Sequence, residues 1–362
     1  MPKRNRKKKK LVDRNQYTLN SIIENKIKEN HIRTDFPKKI NFDSKYSKLI
    51  KSKVHSNMTH IPFVTIDGDD SKDFDDAVYA LPLKDKINIM VAIADVSFFV
   101  KENDFIDLEA KKRANSFYFP NKVIPMLPDF LSSDLCSLVP NKSRLCIIVN
   151  SYIDYEGKLI SYEIIRGVIK SKGRLTYSQV ENYLNKLKYP EDDNYSKIIK
   201  NLKCAYLSLK KMSIKRGKID LNLEEVKIES SKNKAFFSFS KNKHLFSEKI
   251  IEELMIFANN IVATFFFSKK IKSIYRNHEK PNDEKILKLR KSFKLLNIEI
   301  KNNKLKTKKD FLKILSLGNN PYFKLIKESI LRSQSKAFYH YKNIGHFGLA
   351  LKNYTHFTSP IR

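Results

Sequence analysis

The stretch IPFVTIDGDDSKDFDDAVYALPL, residues 61–83, decides how this chain is read. Two apolar runs, 61–66 and 77–83, flank ten residues that carry six aspartates: Asp67, Asp69, Asp70, Asp73, Asp75 and Asp76. Short β-branched runs bounded by turn-forming residues read as strands, so the segment predicts strand, acidic loop, strand. NIMVAIADVSFFV (88–100) predicts a third strand. Six carboxylates this close repel one another, and folding raises their pKa values unless a cation compensates. Hard oxygen donors suit Mg²⁺, with Mn²⁺ the alternative, and the cluster contains no His or Cys to favour zinc. It is too short for an EF-hand loop and lacks that loop's closing glutamate.

The rest of the chain has the opposite sign. Its 362 residues include 71 Lys+Arg against 39 Asp+Glu, a net charge of +32. Such an excess points to a polyanion, nucleic acid first, because Lys and Arg neutralise phosphates and release condensed counterions. The chain is also rich in Lys, Ile and Asn, the residues of A/T-rich codons, so base composition accounts for part of the lysine. The block from Lys3 to Lys10 is too dense in charge to fold and reads as a solvated tail or a nucleic-acid arm. At 41% hydrophobic and 11% aromatic, the remainder has the apolar material for a core, unlike a disordered basic tail. A basic surface around one intense carboxylate site is what metal-assisted phosphodiester chemistry requires. An arginine near the scissile phosphate adds to it, and the closing YTHFTSPIR offers Arg362.

Several classes are excluded. Cys136, Cys146 and Cys204 are too few and too dispersed for a disulfide framework or a zinc site, and read as free buried thiols. None of the eight glycines falls in a GxxxxGK or GxGxxG pattern, and HExxH is absent. The longest apolar stretches are interrupted by Asp95, or by Asn259 and Asn260, short of the ~20 residues of a spanning helix, so no membrane segment is expected. MPKRNRKKKK is followed by no apolar h-region, so a cytoplasmic location is expected.

Along the chain, Leu19, Ile22, Ile23 and Ile27 predict a short helix, followed by an irregular lead-in to residue 60. Residues 104–115 predict a helix and 116–119 a strand. RLCIIVNSYIDY (144–155) and KLISYEIIRGVI (158–169) predict a hairpin turning at Glu156 and Gly157. Thr176 with Gln179 predicts a capping box opening the helix TYSQVENYLNKL. Further helices are expected at 193–215, 244–267, 283–296, 308–315 and 322–332, with strands at 221–229 and 235–240. Strands early and helices late favour a mixed α/β (α+β) fold, a barrel-like sheet wrapped by helices. The domain division is a basic tail at 1–16, a helical lead-in at 17–60 and one catalytic domain at 61–362.

In order, TIDGDDSKDFDDAV, IADVSFFV, SFYFPNKVIPMLPDFLSSDLCSL, IIEELMIFAN and HFGLALKNYTHFTSPIR resemble the catalytic (RNB) domain of the ribonuclease II/ribonuclease R family, nearer its ribonuclease R branch. The resemblance implies a mixed sheet wrapped by helices, with single-stranded RNA threading a narrow channel. It also implies a hydrolytic, processive 3′→5′ exoribonuclease that uses Mg²⁺ and releases nucleoside 5′-monophosphates. Asp67, Asp73 and Asp76 match the family's metal-binding carboxylates, and Asp75 the aspartate most critical for catalysis. Tyr118 and Tyr177 match tyrosines that contact the RNA near its 3′ end. Glu253 lies at the family's glutamate motif with Glu252 an equal choice, since helix geometry lets only one of them face the channel. Arg362 matches the arginine that binds the scissile phosphate.

The chain departs from the family at Leu221, where many members carry a phenylalanine that stacks on the terminal base. Members also carry OB-type domains before and after the catalytic one, for which this chain has no room. An arginine at a free end is expected to fray and clamp a phosphate poorly, so a fragment that binds RNA with little catalysis is the alternative. The family implies a monomer, with RNA helicases or ribosome-associated factors as partners.

Overall fold

The computed structural model describes residues 19–37, 54–120, 122–185, 194–221, 223, 225–230, 237–242, 244–298, 305, 307–318 and 320–361. The basic block at 3–10 therefore lies outside the described residues, as does Arg362.

Helix α1 (Leu19–Glu29) buries Ile23 and Ile27. Strand β1 (Ser56–Asn57) follows, a short parallel partner of a later strand inside what the sequence suggested was irregular lead-in. Strands β2 (Val64–Asp67), β3 (Asp76–Pro82) and β4 (Ile87–Ala94) come next. β4, INIMVAIA, is buried at every position because both faces of the sheet are covered there. Successive side chains on a strand point to opposite faces, and β4 divides accordingly. Ile87, Ile89, Val91 and Ile93 enter one core cluster, while Met90, Ala92 and Ala94 enter the other.

A single helical turn at Val96–Phe99 leads to α2 (Phe105–Arg113), capped by Asp104, whose side chain accepts from the Asp107 amide. β5 (Phe117–Phe119) and β6 (Lys122–Ile124) form a small ribbon, and a π-helical stretch spans Phe130–Leu135. The predicted hairpin is β7 (Ser143–Ile153) with β8 (Leu159–Lys170). Its turn needs Gly157, at φ +79, since an added Cβ would stand 2.2 Å from the Ser208 carbonyl oxygen. β9 (Gly173–Thr176) completes a seven-stranded sheet in the order β1-β8-β7-β4-β3-β2-β9. Its inner pairs are antiparallel and its outermost pairs, β1 with β8 and β2 with β9, are parallel. The sheet is mixed and helix-covered as expected, and its two edges do not pair to close a barrel.

The capping box forms as read: Thr176 opens α3 (Tyr177–Leu184) with reciprocal bonds to Gln179. α4 (Asn194–Arg216) is followed by the hairpin of β10 (Glu225–Ser230) and β11 (Phe237–Asn242), and then by α5 (Phe246–Ser268). α4 and α5 cover one face of the sheet through Leu202, Tyr206, Leu254 and Ile261. The helix expected over 244–267 forms, and what is corrected is the expectation that Asn259 and Asn260 leave this stretch short of a spanning length. α5 passes through both without a break and is long and apolar enough to cross a membrane by length and composition. Its apolarity is accounted for by packing, since Ile250, Leu254, Ile261 and Val262 belong to the core against the sheet. β12 (Tyr275–Asn277) precedes three helices, α6 (Asp283–Leu295), α7 (Lys308–Leu315) and α8 (Phe323–Ser333), that build a separate cluster around Phe293 and Phe311. β13 (Phe338–His340) returns to pair with β12.

Residues 33–36 are strapped to the body. Arg33 reaches Glu109 with two donors, at 3.0 and 3.2 Å. Arg113 donates to the same carboxylate and to the carbonyls of Arg33 and Asp35, and its guanidinium lies 3.6 Å from the Phe36 ring centroid. Burial alone would raise the Glu109 carboxyl, but Arg33 and then Arg113 outweigh it and hold it below its ordinary value.

Candidate active site

β2 and β3 are neighbours, with Val64 opposite Val78, so the acidic loop closes the end of this pair. The fold sorts its six aspartates. Asp69 and Asp70 face solvent, Asp73 and Asp76 are half-buried, and Asp67 and Asp75 are buried. The return limb is fixed by residues 137 and 138. The Ser137 hydroxyl accepts from the Phe74 amide (3.0 Å) and donates to the Lys72 carbonyl (2.9 Å), while the Leu138 amide donates to the Phe74 carbonyl (3.0 Å). The outgoing limb is fixed by Arg174 on β9, whose Nη2 donates to the carbonyls of Gly68 (3.0 Å) and Asp69 (2.6 Å).

Asp75 links the loop to the end of the described chain. Its carbonyl accepts from the Ala94 amide at 2.9 Å, and its Oδ1 accepts from the Ile361 amide at 3.0 Å. Ile361 is 1% exposed and packs in the core cluster beneath the loop. The residue before Arg362 is therefore held, while the fraying expected of Arg362 itself lies outside the described residues. Asn259 of α5 holds the approach: its Oδ1 accepts from the amides of Phe357 (2.7 Å) and Thr358 (3.1 Å), and its Nδ2 donates to the Thr358 hydroxyl (3.0 Å).

The tyrosines differ in setting. Tyr118 on β5 is exposed and its hydroxyl donates to Asp73 at 2.5 Å. Tyr177 opens α3, one residue beyond Thr176, the register partner of Asp67. It packs against the main core cluster, and its carbonyl accepts from the Ser247 hydroxyl. Leu221 lies against the separate helical cluster formed by α6, α7 and α8.

Glu252 and Glu253 sit differently on α5 but share one partner. Glu253 is buried and Glu252 exposed, yet Lys218 Nζ lies 2.7 Å from one carboxylate and 2.6 Å from the other. Burial alone would lower the Lys218 ammonium, but Glu253 and Glu252 outweigh it and hold it above its ordinary value.

One acidic residue near the loop escaped the sequence reading as a site. Asp95, 1% exposed, follows Ala94 directly and meets His55 Nε2 at 3.1 Å, the Ser97 hydroxyl at 2.8 Å and Arg166 Nε at 3.4 Å. The signal was a charged residue inside the apolar run IADVSFFV. Cys136 and Cys146 are free and buried as read, and burial pushes both thiols up, so neither is an activated nucleophile.

The loop's donor chemistry fits a hard divalent cation, since its donors are carboxylate oxygens and Asp67 and Asp75 are partly desolvated by burial. Among the described residues no three acidic, His or Cys side chains stand already converged as a metal-holding group.

Fold and loop together define an α/β domain built around a carboxylate loop. The family model for the RNB domain matches residues 55–362, and the chain belongs to that family. It is 41% identical over 302 residues to ribonuclease R of Mycoplasmopsis pulmonis, covering 83% of this chain and 41% of that protein. Against ribonuclease R of Escherichia coli the values are 37% over 313 residues, 84% and 38%. The chain thus spans about two fifths of the length of these curated relatives. Mycoplasma genitalium RNase R in complex with ribose methylated single-stranded RNA superposes with a TM-score of 0.87 at 31% identity, covering 95% of this chain and 55% of that one. Yeast Ssd1, described as a pseudonuclease, shares the fold with a TM-score of 0.71 at 17% identity, covering 97% of this chain and 44% of that one.

Proposed function

We propose that this chain carries the catalytic domain of a 3′→5′ exoribonuclease that hydrolyses single-stranded RNA processively to nucleoside 5′-monophosphates, with Mg²⁺ or Mn²⁺ at the acidic loop. The observation that carries the reading is the bond from the Ile361 amide to Asp75. It brings together two segments 286 positions apart in sequence, so that Arg362 follows directly from a residue anchored on the loop. The relatives named ribonuclease R support RNA as the substrate.

Asp67, Asp73 and Asp76 would hold the cation, which when bound would supply charge to activate water and stabilise the leaving oxygen. Asp75 orients the backbone before Arg362, and Arg362 would bind the scissile phosphate. Tyr118 and Tyr177 would offer ring faces to the last bases, at about 1–3 kcal/mol per stacked base and without sequence preference. Leu221 has no ring, so its contribution to holding the terminal base would be contact area alone. Glu253, engaged by Lys218, would border the RNA path as part of a charge pair. The net charge of +32 supplies the phosphate-holding background that processive movement needs.

A second reading, RNA binding with little turnover, predicts RNA that is held without being shortened. One experiment separates the two. The chain and an Asp75→Asn variant are incubated with 5′-labelled single-stranded RNA, with Mg²⁺ or with EDTA. The expected result is stepwise shortening from the 3′ end that needs both the metal and Asp75. RNA that binds but is not shortened would establish the second reading, and cleavage of circular RNA would overturn the exonucleolytic one.

A further inference from the structure

We propose that Arg174 is the positioning residue that sets the cation affinity of the acidic loop, an inference that rests on the reading of the loop as a divalent-cation site. β9 runs parallel to β2 with Thr65 opposite Arg174 and Asp67 opposite Thr176. Arg174 therefore stands beside the strand that delivers Asp67, close enough to reach past its end. Nη2 donates to two successive main-chain oxygens, those of Gly68 and Asp69, and so fixes the orientation of the peptide groups that leave Asp67. The same guanidinium lies 5.6 Å from the centroid of the Phe74 ring, on the limb that returns to Asp75. One side chain thus touches both limbs of a loop whose carboxylates come from both.

The acceptors decide what this cation does. Although the loop carries six aspartates, both of these hydrogen bonds go to carbonyls. Arg174 is spent on the path of the chain, as outer-shell partners of a metal site are. Two opposite predictions follow from its two properties. If its charge governs, removing it deepens the negative potential and tightens cation binding. If its grip governs, removing it releases Asp67 from the other carboxylates and weakens binding.

The test is Mn²⁺ titration followed by electron paramagnetic resonance, on the unsubstituted chain, Arg174→Met, Arg174→Lys and an Asp67→Asn/Asp73→Asn control. Arg174→Met keeps the stem and loses the donors. We expect its Mn²⁺ affinity to fall roughly 10–100-fold, the range for outer-shell partners, and its RNA-shortening rate to recover at saturating Mn²⁺. Arg174→Lys, whose ammonium can regain one carbonyl, should fall between. Mn²⁺ bound by Arg174→Met as tightly as by the unsubstituted chain, or more tightly, overturns the inference. Should that variant fail to fold, Arg174→Lys carries the test, because it conserves charge: weaker binding supports the inference and equal binding overturns it. If the unsubstituted chain shows no Mn²⁺ binding that the Asp67→Asn/Asp73→Asn control removes, the cation reading itself has failed and the inference falls with it.

Discussion

Asn259 gives the sharpest prediction for how the site is held. Its side chain is 2% exposed and makes three hydrogen bonds to residues 357 and 358. Asn259→Ala removes all three and leaves the Thr358 amide and hydroxyl, and the Phe357 amide, without their partner. A typical intramolecular hydrogen bond is worth about 1 kcal/mol net, and a buried group left unsatisfied costs about 1–3 kcal/mol. Partial relaxation of the segment toward water brings the expected loss to about 3 kcal/mol, a roughly hundredfold change in the folding equilibrium. For a domain of about 300 residues, with an unfolding entropy of about 2.1 cal/mol/K per residue, each kcal/mol lowers the melting temperature by about 1.5 °C, so a fall of about 5 °C is expected in calorimetry. The functional consequence is separate. Because the freed segment leads through Ile361 to Arg362, RNA shortening should drop in Asn259→Ala at temperatures where the protein is still folded. An unchanged melting temperature, or full activity beside a lowered one, would refute the idea that this asparagine positions the segment.

Glu109→Gln should loosen the strap at residues 33–36 and leave the buried Arg113 guanidinium without its counter-charge, a loss of roughly 3–5 kcal/mol, read as a lower midpoint in urea unfolding and earlier tryptic cleavage after Arg33. His346 makes the protein acid-sensitive: burial, helped by the charges of His278 and Arg276, pushes its imidazole down to about 3. Between the ordinary histidine value and about 3 the unfolded chain binds a proton that the folded chain does not, so stability falls as pH falls. The slope for that single proton approaches about 1.4 kcal/mol per pH unit. Unfolding in urea at pH 7 and pH 5 should show the loss, and His346→Asn should reduce it. Burial lowers His278 and His356 as well, so some slope persists in that variant.

The legible parts of this molecule are those with local causes. The apolar runs of β2, β3 and β4, the β7–β8 hairpin with its glycine turn and the Thr176–Gln179 box each depend on neighbours within a few positions. The acidic loop was legible because its cost was: six aspartates in a basic chain demand a reason. What escaped has distant causes. His55, Asp95 and Arg166 meet across 40 or more positions, and no period marks them. Helix geometry puts Glu252 and Glu253 on different faces, but Lys218 arrives from outside the helix and reaches both. Asn259 and Asn260 looked like interruptions of an apolar stretch, because hydropathy cannot tell a polar residue facing solvent from one bonded to a buried segment. Asn260 Nδ2 donates to the Asn353 carbonyl at 2.8 Å.

The links around the site form a closed circuit, and this governs how substitutions combine. Asp67 is paired through β9 with Thr176; Tyr177 follows and accepts from Ser247 at the start of α5. Twelve residues along that helix Asn259 holds Phe357 and Thr358, and the segment continues to Ile361, whose amide returns to Asp75 in the loop that began at Asp67. In a closed ring each bond forms at the high local concentration that the others impose, so the first break costs the most order and the second finds the segment already loose. Substitutions at Asn259 and Asp75 should therefore combine to less than the sum of their separate effects on stability, since the two residues share one partner segment. A sum that is fully additive would mean that residues 358 and 361 are held independently. The backbone before Arg362 would then owe its place to the burial of Ile361 alone.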